Sequence, residues 1–98
     1  MKYLIPMISL LFNQGLYAQD EYTVELYETY CQACHTALGS EAPRAFDNSI
    51  WSNRLQRGLD VVVSSAIEGF GNMPAMGSCM ECTYEDMEDL VRYMSKAE

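Results

Sequence analysis

The stretch Cys31-Gln32-Ala33-Cys34-His35 decides the fold, because it places two cysteines three positions apart and the chain's one histidine directly after them. On one helical turn, two such thiols can reach the two vinyl groups along one side of a porphyrin. The imidazole of the next residue can then be directed at the iron. The motif therefore predicts one covalently attached haem c, bound through Cys31 and Cys34 and ligated by His35.

A second cysteine pair, Cys79 and Cys82, leaves other uses of the thiols open. A thioredoxin-like redox pair normally belongs to a βαβ pattern, which this sequence lacks. The four cysteines could instead form a structural zinc site, although the long gap between the pairs weakens that interpretation, or a plain disulfide framework. A structural zinc or disulfide module is therefore the alternative to a haem protein.

The first 18 residues have the pattern of a secretory signal peptide. Lys2 gives a positive start, residues 3–12 form an apolar run, and Ala18 precedes polar residues. We expect cleavage after Ala18 and export to the periplasm. The apolar run is shorter than the roughly 20 residues that cross a membrane, so no stable membrane insertion is expected after cleavage.

Length and charge limit the possible functions. The 98 residues leave room for one domain, predicted at 19–98, after a signal peptide at 1–18. The net charge of −8 excludes nucleic acid as a partner, since nucleic-acid binding needs a basic surface. It allows redox proteins with basic docking surfaces as donor and acceptor. Five carboxylates could steer such partners, or could simply be solvated: Glu81, Glu85, Asp86, Glu88 and Asp89.

Hydrophobic periodicity predicts an all-α domain with two long loops. We expect helices over residues 20–35, 49–56 and 60–70, and a last helix that begins after Thr83 as its N-cap. Gly71 is expected to stop the third helix, and Lys96 to lie in the final turn of the last one. An apolar stripe on the last helix consists of Met87, Leu90, Val91 and Met94.

A methionine commonly binds the second face of a haem iron in electron-transfer proteins that use one histidine. Met87 and Met94 belong to the apolar stripe, so we expect both in the core. Met73 and Met76 lie in the glycine-flanked loop over residues 71–82. Because Met73 precedes a proline, its backbone favours an extended conformation. Met73 is the predicted distal ligand, and Met76 remains the other candidate.

The cysteine–histidine motif and residues 71–82 together resemble class I cytochromes c, and within them the bacterial cytochrome c-five type. The resemblance covers nearly all of residues 22–95 and includes Trp51 and Arg54. The sequence departs from that family at Met76, where the family often has a lysine. This difference places a second thioether near the site and removes a positive charge from the expected haem edge.

The resemblance implies a small class I cytochrome c fold, in which the N- and C-terminal helices cross around the haem with Tyr27 and Tyr93 near the contact. It implies His35 and Met73 as the axial iron ligands. It also implies further roles at the site: the Pro43 carbonyl accepts the His35 ring N–H, Trp51 and Arg54 lie near a haem propionate, and Cys79 pairs with Cys82 in a disulfide.

The function that follows from the resemblance is that of a monohaem, periplasmic electron carrier rather than an enzyme. No substrate bond would be broken, because the chain would fix both axial ligands and exclude water while one haem edge stays exposed. A haem protein with an open iron site is the other haem-based interpretation.

Overall fold

The computed structural model describes residues 21–96, so the predicted signal peptide and its cleavage site lie outside the described residues. The helices in this part of the chain are α1 over residues 21–35, α2 over Asn48–Leu55, α3 over Leu59–Glu68 and α4 over Tyr84–Met94. A 3₁₀ turn, Ala75–Ser78, lies between α3 and α4. Within residues 21–96, β structure is limited to one isolated bridge between Phe70 and Met73. The predicted all-α class is therefore confirmed.

Helix α4 begins as its sequence predicts. The Thr83 hydroxyl accepts a hydrogen bond from the Asp86 N–H at 3.1 Å, and the Asp86 carboxylate accepts one from the Thr83 N–H at 3.0 Å. This reciprocal capping box satisfies backbone donors that have no partner inside the helix. The predicted apolar stripe is buried along its length. The position of Lys96 was predicted wrongly, because the helix ends at Met94 and Arg92 is the cation in its last turn.

Helix α3 ends at Glu68, two residues before the predicted end. Gly69 follows with a φ of +93°, a conformation that residues with a Cβ rarely adopt. A Cβ at this position would lie 3.2 Å from the Met73 carbonyl oxygen. The close approach of the following loop therefore ends the helix at Gly69, and the prediction that Gly71 ends it is wrong.

Helices α1 and α4 meet through aromatic rings. Tyr27 and Tyr93 pack edge to face, with ring centroids 5.2 Å apart, as the resemblance implies. Phe46, from the loop after α1, packs against both rings at 5.7 and 5.2 Å. The Phe46 N–H also donates to the Met94 carbonyl. The loop after α1 is thereby joined to the end of α4, which fixes where it passes the Cys31–His35 motif.

Helix α1 contains a π-helical turn, Tyr27–Cys31, which the sequence pattern did not predict. The Gln32 N–H donates to the Tyr27 carbonyl, five residues back. Such turns insert an extra residue into a helix and occur frequently at functional sites. Here the turn ends at the first cysteine of the motif, and both Tyr27 and Cys31 are buried.

The core of the described domain lies between α1, α3 and α4. Its buried apolar side chains include Leu26, Val63, Leu90 and Val91.

Among the described residues, no helix combines the length and the hydrophobicity that crossing a membrane requires.

Candidate functional site

The imidazole of His35 is buried at the C-terminal end of α1 and is oriented by a backbone carbonyl. Its Nδ1–H donates to the Pro43 carbonyl oxygen at 2.7 Å. This hydrogen bond fixes the tautomer and the ring orientation, and leaves Nε2 as the nitrogen that can bind a metal. The Trp51 ring lies beside the imidazole, with ring centroids 6.0 Å apart.

The loop that carries Pro43 folds back onto the end of α1. The Ala45 N–H donates to the His35 carbonyl at 2.8 Å, and the Arg44 guanidinium donates to the Thr36 carbonyl at 2.9 Å. The Arg44 carbonyl in turn accepts the indole N–H of Trp51 at 2.9 Å. These bonds hold the Pro43 carbonyl in place, and the sequence pattern gave no signal for the part that Arg44 takes in them.

The two cysteines of the motif differ in exposure. Cys31 is buried, and this burial, together with the nearby Cys34 thiol, raises the pKa of the Cys31 thiol to about 11. Cys34 is exposed. Both thiols are unpaired with other cysteines, so both can form thioethers. At neutral pH the Cys31 sulfur of the unmodified chain is a neutral thiol.

The second cysteine pair forms a disulfide, Cys79–Cys82, and both residues are buried in the segment just before α4. Disulfide sulfur atoms cannot act as thiolate ligands, which removes the four-thiolate zinc site. In residues 21–96, no cluster of three or more histidine, cysteine or carboxylate side chains could hold a metal ion. The zinc alternative is therefore wrong for this chain.

The methionines of the described chain separate into three environments. Met87 and Met94 are buried in the core, as predicted, and Met80 is 86% exposed. Met73 and Met76 are half-buried in the loop after α3 and pack against the core. These two are the side chains that remain available to a group bound next to the core.

Met73 has the more firmly held backbone of the two loop methionines. Its N–H donates to the Phe70 carbonyl at 2.9 Å, and its carbonyl accepts the Phe70 N–H at 3.1 Å. Met76 instead has a φ of +60°, in the left-handed region that residues other than glycine seldom occupy. The loop is therefore fixed at Met73 and turns sharply at Met76.

Arg54 and Trp51 both lie on α2, and Trp51 is the one that packs beside His35. Trp51 is buried, whereas Arg54 is partly exposed and its Nε is buried without a hydrogen-bond partner. Arg54 and Arg57 line an open cleft of about 600 Å³. A buried N–H donor without an acceptor is costly, so this position fits an added anionic oxygen such as a propionate.

Comparisons with known proteins identify the family of this chain. The family described as cytochrome c oxidase, cbb3-type, subunit III matches residues 19–94. The cytochrome c5 of Ectopseudomonas mendocina is 33% identical over 73 residues, which cover 72% of this chain and 84% of that protein. The chain belongs to the class I c-type cytochromes. This cytochrome therefore carries covalently attached haem c, which the unpaired cysteines, the oriented imidazole and the buried Arg54 Nε fit.

Solved structures give the same fold. A mono-haem ferrocytochrome c from Shewanella putrefaciens is 34% identical, with a TM-score of 0.68, and the match covers 78% of this chain and 94% of that one. A cytochrome c in an electron-transfer complex with nitrite reductase is 27% identical, with a TM-score of 0.66 over 74% of this chain and 89% of that one. The predicted class I fold is confirmed, and the cytochrome is a monohaem electron-transfer protein rather than an enzyme.

Proposed function

We propose that this cytochrome is an exported electron carrier whose haem iron is bound by His35 and Met73. The observation that carries the proposal is the 2.7 Å hydrogen bond from His35 Nδ1 to the Pro43 carbonyl, which leaves Nε2 for the iron. The bound haem supplies one-electron chemistry at its iron. The chain supplies two fixed ligands, a dry environment for the imidazole, and a surface for transient docking.

Met73 is the proposed distal ligand because its backbone is held on both sides. The paired bonds with Phe70 fix its main chain, and its side chain lies against Gly77, since its Cε would be 3.4 Å from a Cβ built there. A ligand on a fixed backbone loses little conformational freedom when it binds. Met76 is the rival side chain, and a substitution of each methionine separates them.

Trp51 and Arg54 are proposed to hold the propionate side of the haem. Arg54 would donate its unpartnered Nε–H to a propionate oxygen. Trp51 donates its own N–H to the Arg44 carbonyl, so it would act as a buried wall beside the imidazole rather than as a hydrogen-bond donor to the haem. The indole N–H of Trp51 would therefore not contact a propionate directly.

Export to the periplasm is supported by the disulfide and by the sequence ahead of the domain. A buried disulfide persists in oxidising compartments and is rare in the cytosol. Residues 1–18 have the signal-peptide pattern, and the family match begins directly after them, at residue 19.

The partners are redox proteins, and we propose that they dock with basic surfaces near the start of α4. Glu81 and Glu85 are exposed there, and Glu81 accepts a hydrogen bond from the Tyr30 hydroxyl at 2.9 Å. Other carboxylates of this acidic face have internal roles: Asp86 caps α4, and Glu88 pairs with Arg92 at 2.8 Å. The net negative charge still speeds association with a basic partner, even when individual ion pairs contribute little to the affinity.

The ligand assignment is tested by absorption spectra of the periplasmically matured protein, oxidised and then reduced. We expect a covalent low-spin c-type haem, whose thioether-to-iron charge-transfer band disappears in Met73→Ala and persists in Met76→Ala. Loss of the band only in Met76→Ala would show that Met76, and not Met73, is the distal ligand. A colourless protein would end the haem assignment.

The docking proposal is tested by association rates with a basic redox partner at several ionic strengths. Glu81→Gln and Glu85→Gln should slow association at low salt and flatten its salt dependence. Glu68→Gln is the matched control, because Glu68 is an exposed carboxylate at the end of α3. Equal effects from all three variants would show that only overall charge matters, and rates that ignore ionic strength would remove steering altogether.

A further inference from the structure

One side-chain hydrogen bond joins the two loops that flank the proposed haem site. The Asn72 side-chain amide donates to the Glu41 carboxylate at 3.1 Å, across 31 positions of sequence. Asn72 directly precedes Met73, and Glu41 lies two residues before Pro43. The bond thus links the segment that orients the proximal histidine to the segment that carries the proposed distal methionine.

Local hydrogen bonds lie next to both ends of this link. On one side, Gly71 and Asn72 are the central residues of a two-residue turn closed by the Phe70–Met73 bonds, with Gly71 at a φ of +58°. On the other side, the Ala42 N–H donates to the Ser40 hydroxyl at 3.0 Å, next to Glu41. Movement of one loop away from the other would therefore stretch the Glu41–Asn72 bond.

We propose that Glu41 and Asn72 are positioning residues that restrain the methionine loop and slow the release of the distal ligand. The inference rests on the proposed role of Met73. For the Met73 side chain to leave the iron, the turn that carries it must move, and movement away from the Pro43 loop breaks the Glu41–Asn72 bond. A carboxylate acceptor makes this bond stronger than one between two neutral groups.

Both residues are exposed, so the bond contributes little to the hydrophobic core and its effect on global stability should be small. Release requires this bond to break whether or not the rest of the domain unfolds, so its loss should lower the barrier to release by up to the same amount as it lowers the free energy of unfolding. Glu41→Ala and Asn72→Ala are each expected to raise the release rate about fivefold, which corresponds to about 1 kcal/mol at 1.4 kcal/mol per tenfold.

The test uses the mature ferric holoprotein mixed rapidly with imidazole, an external ligand that binds iron only after the methionine has left. The observed rate at saturating imidazole gives the release rate. Wild type is compared with Glu41→Ala, Asn72→Ala, the double variant, and the conservative Glu41→Gln, whose amide oxygen can still accept from Asn72. Glu68→Ala is the matched control for loss of an exposed carboxylate.

We expect the two single variants and the double variant to share the same fivefold increase, because all three lose one bond. Glu41→Gln and Glu68→Ala should stay within twofold of wild type. Unchanged rates in the single variants, an increase in the double variant equal to the product of the single increases, or a Glu41→Gln rate equal to that of Glu41→Ala would each overturn the proposal.

The failure of this inference is separable from failure of the proposed ligand. If Met73→Ala keeps the thioether charge-transfer band, the ligand assignment is wrong and the positioning role falls with it. If Met73→Ala loses the band and the Glu41 and Asn72 variants leave the release rate unchanged, Met73 is the ligand. Only the positioning role of Glu41 and Asn72 is then refuted. Urea midpoints measured on the same variants show whether the loss of stability exceeds that of one bond, which would indicate general destabilisation.

Discussion

Reduction of the Cys79–Cys82 disulfide should destabilise the folded cytochrome by about 2 kcal/mol. The bond closes a ring of four residues, and the chain-entropy relation for so short a loop gives roughly 6 cal/mol/K, or about 2 kcal/mol at 25 °C. Cys79 is 1% exposed and Cys82 is 8% exposed, so the reduced thiols would stay in a packed environment. Reduction adds only two hydrogen atoms and opens no cavity, which keeps the perturbation close to pure loss of the cross-link.

The disulfide also lies between the methionine loop and the capped start of α4. The Cys79 N–H donates to the Met76 carbonyl at 2.9 Å, and Thr83 caps the helix directly after Cys82. Reduction should therefore loosen the loop that carries Met73 as well as lower global stability. We expect a weaker distal bond, seen as a lower reduction potential, because methionine ligation raises the potential.

The assay is urea unfolding of the ferrous protein with and without a thiol reductant, so that the haem redox state is the same in both arms. A loss of about 2 kcal/mol should lower the midpoint by about 1–2 M urea for a domain of this size. Cys79→Ala/Cys82→Ala is the control, since its midpoint should not respond to reductant. An unchanged midpoint, after thiol titration shows full reduction, would refute the loop-entropy reasoning.

Three further substitutions test individual contacts. Tyr27→Phe should raise the free energy of unfolding by about 1 kcal/mol, because the Tyr27 hydroxyl is buried without a hydrogen-bond partner. Burial also raises the pKa of Tyr27, so wild type should lose stability as pH rises above 10, and urea curves at pH 7 and 11 should show the advantage of Tyr27→Phe growing. Thr83→Ala should cost about 1 kcal/mol in thermal unfolding, because it removes the capping box of α4, and a loss below a few tenths would contradict the cap's role. If the buried Nε of Arg54 faces a propionate, Arg54→Leu should lower the reduction potential by on the order of 50 mV. The reason is that loss of a nearby positive charge favours the ferric state. Voltammetry that shows no shift would place Arg54 away from the haem.

Most of the helical architecture could be predicted from local sequence. The stripe that ends at Met94 and the Thr83 cap predicted α4, because burial of one face and capping of free N–H groups depend on residues within a few positions of each other. Helix ends were less predictable. Gly69 rather than Gly71 ends α3, because the loop directly after the helix turns back and brings the Met73 carbonyl too close for a Cβ, and the pattern of glycines did not reveal that loop conformation.

The sequence by itself determined the cofactor chemistry of this protein, because two thiols and an imidazole in one short motif act together in any helix. Only the tertiary structure decided the surroundings of that motif. The Arg44 carbonyl under Trp51, the π-helical turn before Cys31 and the bond between Glu41 and Asn72 have no local sequence signal. The Glu41–Asn72 bond joins groups that are 31 positions apart in sequence, and the other two features depend on how nearby segments of backbone bend; packing of the whole domain sets both.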